Sequence, residues 1–185
     1  MTNKKKILIF GGVVFLLFIL KNKAMAALDI AEKIIRKWET SNDVKKYLTA
    51  YKDIAGVWTI GFGSIRNYDQ NRPVRQGDFI DEPTAVRWMK IEMGAKLNSV
   101  KKLIKVPINA NEEAALLSLT YNIGLGAFGD STLLKLLNAN APRIQVADQF
   151  LVWNKYTDPV TRKKLVSAGL DNRRKNERDL FLRAI

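Results

Sequence analysis

Hydrophobic positions recur along this chain at helical spacing in most stretches and at strand spacing in one. Ile30, Ile34, Ile35 and Trp38 form one stripe, with Glu32, Lys33, Arg36 and Lys37 turned to water. That spacing predicts an amphipathic helix over Ala27–Trp38, capped by Asp29. Glu39 follows at the end of the stripe. Thr40–Lys46 is polar, with Ser41-Asn42-Asp43 as a turn. The pattern then changes. Val57-Trp58-Thr59-Ile60 is a run of β-branched and aromatic residues, preceded by a turn signal at Ala55-Gly56 and broken by Gly61 and Gly63. A short hairpin over Tyr47–Gly63 is the expected result. Ser64–Gly77 reads as a polar loop that returns through an edge strand near Phe79-Ile80.

From Asp81 onward the pattern is helical. Asp81-Glu82-Pro83 is a helix start, and Ala85, Met89, Met93, Leu97, Val100 and Ile104 recur at steps of three and four. A long helix is expected there, ended by Pro107. Asn111-Glu112-Glu113 is read as the cap of the next helix, which carries Ala114, Leu117 and Tyr121 and stops at Gly124-Leu125-Gly126. Ser131 caps a short helix through Leu137. Pro142 opens another, bearing Ile144, Ala147, Phe150, Leu151 and Trp153. Tyr156–Gly169 reads as a basic loop, and a last helix covers Leu170–Arg183. The fold class is therefore α+β and mainly helical. A small lobe over about 27–80 holds the hairpin, a long helix follows, and a larger helical lobe fills about 81–185. No internal repeat or low-complexity linker divides residues 27–185.

The segment before residue 27 is of another kind. Lys4-Lys5-Lys6 precedes fourteen apolar or glycine residues, Ile7–Leu20, then Lys21-Asn22-Lys23 and Ala24-Met25-Ala26. As a helix that run is about 21 Å long, short of a hydrocarbon core of about 30 Å. The length and the Ala-x-Ala match fit a signal peptide; lysines directly after the run fit a retained anchor that snorkels at a membrane surface. Residues 1–26 are thus a signal peptide or a membrane anchor acting through residues 7–20. Both place the remainder outside the cytoplasm, in a periplasm or cell envelope or tethered to a membrane.

Composition narrows the chemistry. The 185 residues contain no cysteine and no histidine. Disulfides, thiolates, His-based triads and the commonest metal ligand are all excluded, so acid–base work falls mainly to Asp, Glu, Lys and Tyr. No metal or other cofactor is implied. The net charge is +13, and residues 27–185 keep 26 basic residues against 18 acidic. Such a balance suits an anionic partner. The charge is spread along the chain and carries no zinc-finger or RNP pattern, so nucleic acid is not the expected one.

Glu39, Asp53 and Thr59 are the candidate catalytic residues. Each alone has an ordinary reading: a solvated helix-end Glu, an Asx-turn Asp and a strand Thr. Together they supply a carboxyl that partial desolvation could keep protonated, a second carboxylate and a hydroxyl. An inverting glycosidase needs one carboxylic acid on the leaving oxygen and one carboxylate holding a water on the opposite face, about 6.5–9.5 Å away. A hydroxyl beside them can orient that water.

The run Tyr51-Lys52-Asp53-Ile54-Ala55-Gly56-Val57-Trp58-Thr59-Ile60-Gly61-Phe62-Gly63, with Glu39 upstream, resembles the signature of the phage-type lysozymes, glycoside hydrolase family 24. Later blocks resemble the same family. They are the helix ending Asn122-Ile123-Gly124-Leu125-Gly126-Ala127-Phe128 with Ser131-Thr132-Leu133-Leu134, then Ala147-Asp148-Gln149-Phe150 with Trp153-Asn154-Lys155, and Gly169-Leu170, Arg173-Arg174 and Glu177-Arg178. Trp153 reads as core, and Arg173 and Arg174 as helix anchors. The resemblance implies a lysozyme-like fold that cleaves the β-1,4 bond between N-acetylmuramic acid and N-acetylglucosamine in bacterial peptidoglycan. It implies Glu39 as general acid, Asp53 as the residue positioning water, Thr59 as its helper, no cofactor and a monomeric enzyme. Two departures stand out. Glu39 and Asp53 lie fourteen positions apart, about five more than usual in the family, with the extra residues around Thr40–Lys46; Asp43 is the local competitor for the acid. Ser64 stands where the family often has His, which should alter hydrogen bonding more than chemistry. The alternative function is a membrane-anchored wall-binding virion protein with little or no turnover.

Overall fold

The computed structural model describes residues 23–40, 43–53 and 55–183. Residues 7–20, on which the signal or anchor reading falls, lie outside them. Among the described residues no helix is long and apolar enough to cross a membrane.

The first helix, α1, already runs at residue 23 and continues to 40. Asp29 is therefore an exposed mid-helix residue, not a cap. Lys23 donates to the carbonyl of Ile108 and pairs with Glu113 at 3.6 Å. The innermost row of α1 is Ala27, Ala31 and Ile35, each fully buried, while Ile30 and Ile34 are only partly so. Two alanines let the helix approach its neighbours more closely than the isoleucine stripe alone would. The next residue in that i+4 row is Glu39, which lies inside the last turn rather than after it.

A 3₁₀ turn, Val44–Tyr47, is capped by the exposed Asp43, whose carboxylate accepts from the Lys45 N–H. Strand β1, Tyr51–Lys52, pairs antiparallel with β2, Trp58–Thr59, as expected. The turn after β2 is closed by reciprocal backbone bonds between Ile60 and Ser64, of 2.9 and 3.0 Å. The polar loop beyond holds a second hairpin, β3 (Arg66–Asn67) with β4 (Arg72–Pro73), turning through Asn71 at φ 52°. The expected edge strand near Phe79 is a single bridge to Thr49.

Helix α2, Glu82–Leu103, starts on the Asp81 cap and buries Ala85, Trp88, Met89, Met93, Leu97 and Val100. Helix α3, Ala110–Ile123, is capped by Asn109, not Asn111. Asn109 accepts from the Glu112 N–H, and Glu112 accepts from the Asn109 N–H, a capping box that the reading from Asn111 missed by two positions. Every residue from Ala110 to Thr120 except Asn111 is buried, so α3 is the central helix. Short helix α4 (Leu125–Asp130) packs on it, α5 (Thr132–Asn138, capped by Ser131) on α4, and α6 (Arg143–Asp148) on α5. What read as one helix beyond Pro142 breaks after Asp148 into a separate 3₁₀ turn, Leu151–Trp153, and Trp153 packs on the core. The expected basic loop after it is a hairpin, β5 (Lys155–Thr157) with β6 (Lys164–Val166). Helix α7, Ala168–Phe181, then packs along α3.

One continuous core joins the lobes. Ala31 and Ile35 of α1, Ile60 and Phe62 of the first hairpin, Met89 and Met93 of α2, and Leu116 and Leu117 of α3 belong to it. The hairpin that carries Asp53 and Thr59 is thus seated on the helical lobe.

Candidate active site

Tyr51 lies opposite Thr59 and within electrostatic reach of both carboxylate candidates. Thr59 lies directly opposite it across the β1–β2 ladder, so their side chains share one face. Burial pushes the Tyr51 phenol up, and Tyr47, Glu39 and Asp53 push it further in that order. Both carboxylates therefore act on one phenol, although they reach it from different elements.

Asp53 follows β1 and organises the turn. Its Oδ1 accepts the N–H groups of Ala55 and Val57, each at 2.9 Å, while its own N–H donates to the Val57 carbonyl. The Asx-turn reading is correct as far as it goes. Both bonds fall on one oxygen, and among the described residues Oδ2 is left as the oxygen for a further donor. Thr59 is buried, and its hydroxyl donates to the Val57 carbonyl at 3.1 Å. Its lone pairs are then available to accept.

Glu39 meets a guanidinium instead of the apolar surroundings its helix end implied. Arg173 of α7 donates from Nη1 to Glu39 Oε1 at 2.9 Å. The same guanidinium donates from Nε to Glu177 at 3.1 Å and from Nη2 to the Ser118 carbonyl at 3.2 Å. Glu177 is fully buried and also accepts from the Ser118 hydroxyl at 2.6 Å and from Arg174 at 3.0 Å. Desolvation pushes the Glu177 carboxyl up, opposed by both arginines; burial likewise lowers Arg174, to about 10. The fork of Arg173 is locked on three sides, so the position of Glu39 is set by a helix 134 residues away in sequence. Asp43, the competitor, is occupied at its 3₁₀ cap.

Arg173 and Arg174 do anchor a helix, as read, but the contact of Arg173 with Glu39 was missed. The available signal was the Arg-Arg-x-x-Glu spacing, which places both arginines over Glu177 on one helix face.

Ser64 is buried and donates to Glu92 of α2 at 2.7 Å; the Tyr121 hydroxyl lies 3.1 Å from both Glu92 and the Phe62 carbonyl. Tyr68 is pushed up by burial and then by Glu92, and Tyr121 by burial and then by Glu92 and Glu39. Lys96, whose ammonium sits 4.9 Å over the Tyr121 ring, is pulled down by burial. Glu92 thus ties the turn after β2 to α2 and α3. No periodicity marks it, since it sits beside apolar Met93 like any partly solvated helix residue.

Two grooves, of about 630 and 390 Å³, meet at Ile65, Tyr68 and Glu92. The larger reaches Trp58 of β2, and neither is lined by Glu39, Asp53 or Thr59. Among the described residues no group of three or more Asp or Glu side chains is placed to hold a metal ion.

The phage lysozyme family model matches residues 44–177. The chain belongs to the phage lysozyme family. It is 36% identical to the endolysin of Salmonella phage P22 over 140 residues, 73% of this chain and 86% of the relative. It is 34% identical to the SAR-endolysin of Pseudomonas phage phiKMV over 129 residues, 70% of this chain and 74% of the relative. Among solved structures, the endolysin from Escherichia coli O157:H7 phage FAHEc1 superposes with a TM-score of 0.70 at 37% identity, covering 86% of this chain and 92% of that one. The family match begins just beyond Glu39.

Proposed function

We propose that the protein is a muramidase, cleaving the β-1,4 bond between N-acetylmuramic acid and N-acetylglucosamine in peptidoglycan with inversion. The observation that carries the residue roles is the arrangement about Tyr51: Glu39 held by the Arg173 fork, Asp53 held by its own turn, and Thr59 opposite Tyr51. Glu39 delivers a proton to the leaving oxygen. A water donates one O–H to Asp53 Oδ2 and the other to the Thr59 oxygen; as its oxygen bonds the anomeric carbon and the glycosidic bond breaks, Asp53 takes its proton. The protein supplies position more than unusual chemistry. The grooves beside Trp58 and Tyr68 would carry neighbouring parts of the glycan. All these groups come from one chain, so a monomer suffices.

Glu39→Gln tests the assignment. The variant should fold normally and leave purified peptidoglycan uncleared in a zymogram, with Asp43→Asn nearly silent as control. Clearing by Glu39→Gln would reject the role of Glu39. Binding without clearing by the wild type would make the chain a wall-binding protein instead. NMR of the first-formed reducing end would report the stereochemistry.

For the N-terminus we propose export with the apolar segment retained as an anchor. The position of Lys23 supports this. Cutting after Ala26 would remove Lys23 from Glu113, a buried carboxylate whose other cation is Lys101 at 3.4 Å. Intact mass of the protein made in cells tests it: a product beginning at Ala27 would refute retention.

A further inference from the structure

Hairpin β5–β6 stands away from the core with all six strand residues exposed. Its turn is built tightly. Asp158 accepts from the N–H groups of Val160 and Thr161 and from the Thr161 hydroxyl, and Arg162 adopts φ 59° to close it. The base is fixed as well: the Ser167 N–H donates to the Asn154 carbonyl at 2.9 Å, and the Asn154 amide to Asp171 of α7 at 3.0 Å. An ordered hairpin of two strands normally needs a surface to cover it. This one leaves Tyr156, Val160, Leu165 and Val166 open to solvent, with Val160 at the tip 87% exposed. Tyr156 and Leu165 are cross-strand partners and share a face.

The charge around these residues has one sign. Within residues 155–166 the basic side chains are Lys155, Arg162, Lys163 and Lys164, and the one acid, Asp158, is used inside the turn. Lysines on both strands oppose edge-to-edge pairing with a second copy. A glycan could stack on Tyr156, but it offers little to Val160, Leu165 and Val166. The boundary between lipid headgroups and acyl chains accommodates both kinds of side chain, aliphatic and aromatic groups at its apolar side and lysines among anionic headgroups.

We propose that the β5–β6 hairpin is a docking arm for an anionic lipid bilayer that enters tip first, with Val160 in the interface, Tyr156 and Leu165 following on one face, and Lys155 and Lys164 on the other face gripping headgroups together with Arg162 and Lys163. Because its base is tied to α7, the helix that bears Arg173, docking would set the orientation of the enzyme at the membrane. The proposal does not depend on which residue supplies the catalytic proton.

The chain has no cysteine, so Val160→Cys in the full-length protein takes a single environment-sensitive fluorophore. Lys135→Cys, at an exposed position of α5, reports tethering through any other part of the chain. The label at 160 should shift to the blue with vesicles containing phosphatidylglycerol, but not with phosphatidylcholine alone, and the label at 135 should not shift. Added salt should reverse the change. K155Q/K163Q/K164Q in the Val160→Cys background should lower the docked-to-undocked ratio about 100-fold, from about 1 kcal/mol per basic residue. An equal shift with neutral vesicles, an equal shift at 135, or a shift with purified peptidoglycan but not with anionic vesicles would each overturn the proposal.

Discussion

Arg173→Lys separates the structural from the functional use of the buried arginine. The guanidinium makes three bonds, to Glu177, Glu39 and the Ser118 carbonyl. An ammonium on a single stem keeps the charge but cannot span all three. Its best retained partner is Glu177, because that carboxylate is fully buried and the most costly to leave unpaired. The Ser118 bond is then lost, at about 1 kcal/mol. The Glu39 pair is lost too, and with the Glu39 side chain 24% exposed it is worth at most about 1 kcal/mol. A destabilisation of about 2 kcal/mol follows, read from urea unfolding followed by tryptophan fluorescence. Arg173→Met removes the charge as well and should cost about 3–5 kcal/mol. In a double-mutant cycle with Glu39→Gln the coupling should stay under about 1 kcal/mol, since water takes over at Glu39. Activity should be hit harder than stability. With its acid no longer oriented, Arg173→Lys should clear peptidoglycan roughly 10- to 100-fold more slowly under conditions where it is folded. A variant as stable and as active as wild type would refute the locked fork.

Three other outcomes test the supports of the site. Gly61→Ala should destabilise by about 1–2 kcal/mol in urea, because φ is 61° there and a Cβ would lie 3.1 Å from that of Ala85. Asp78 accepts both arms of Arg72 and the Arg75 N–H, and the hydrogen bonds from Arg72 hold its carboxyl down to about 2. Since that lies below the unfolded value of 3.8, its stabilisation is complete above 3.8 and is lost as pH falls through about 2. Asp78→Asn should show a smaller drop in urea midpoint across that window than wild type does. Tyr121→Phe removes the hydroxyl shared by Glu92 and the Phe62 carbonyl, and should cost about 1 kcal/mol with little change in clearing rate; a large rate loss would give Tyr121 a direct role.

Local features were legible in the sequence because local forces set them. The β1–β2 hairpin follows from Asp53, Gly56 and a β-branched run, and the starts of α2 and α5 follow from Asp81 and Ser131. Each is decided within a few residues by turn chemistry or a side-chain cap. Where two local signals competed, the nearer bonds decided: Asn109 and Glu112 satisfy each other in a capping box that a start at Asn111 cannot form. The β5–β6 hairpin gave no alternation to read, because neither of its faces is buried.

The site itself was legible in part. Asp53 and Thr59 lie in one short motif, and Glu39 could be named as their partner from the resemblance and from its place after an apolar stripe. Why Glu39 points inward was not in that stripe but in the closer row Ala27–Ala31–Ile35, which becomes the buried one only when α1 packs against the helical lobe. Its contact with Arg173, the buried Glu177 behind it, and the hold of Glu92 on Ser64 join residues 134, 4 and 28 positions apart. Of these only the Arg173–Glu177 spacing is local enough to leave a sequence pattern. The others are pairings of charged or polar groups whose worth depends on desolvation, and desolvation is decided by the packing of α1, α2, α3 and α7 on one another.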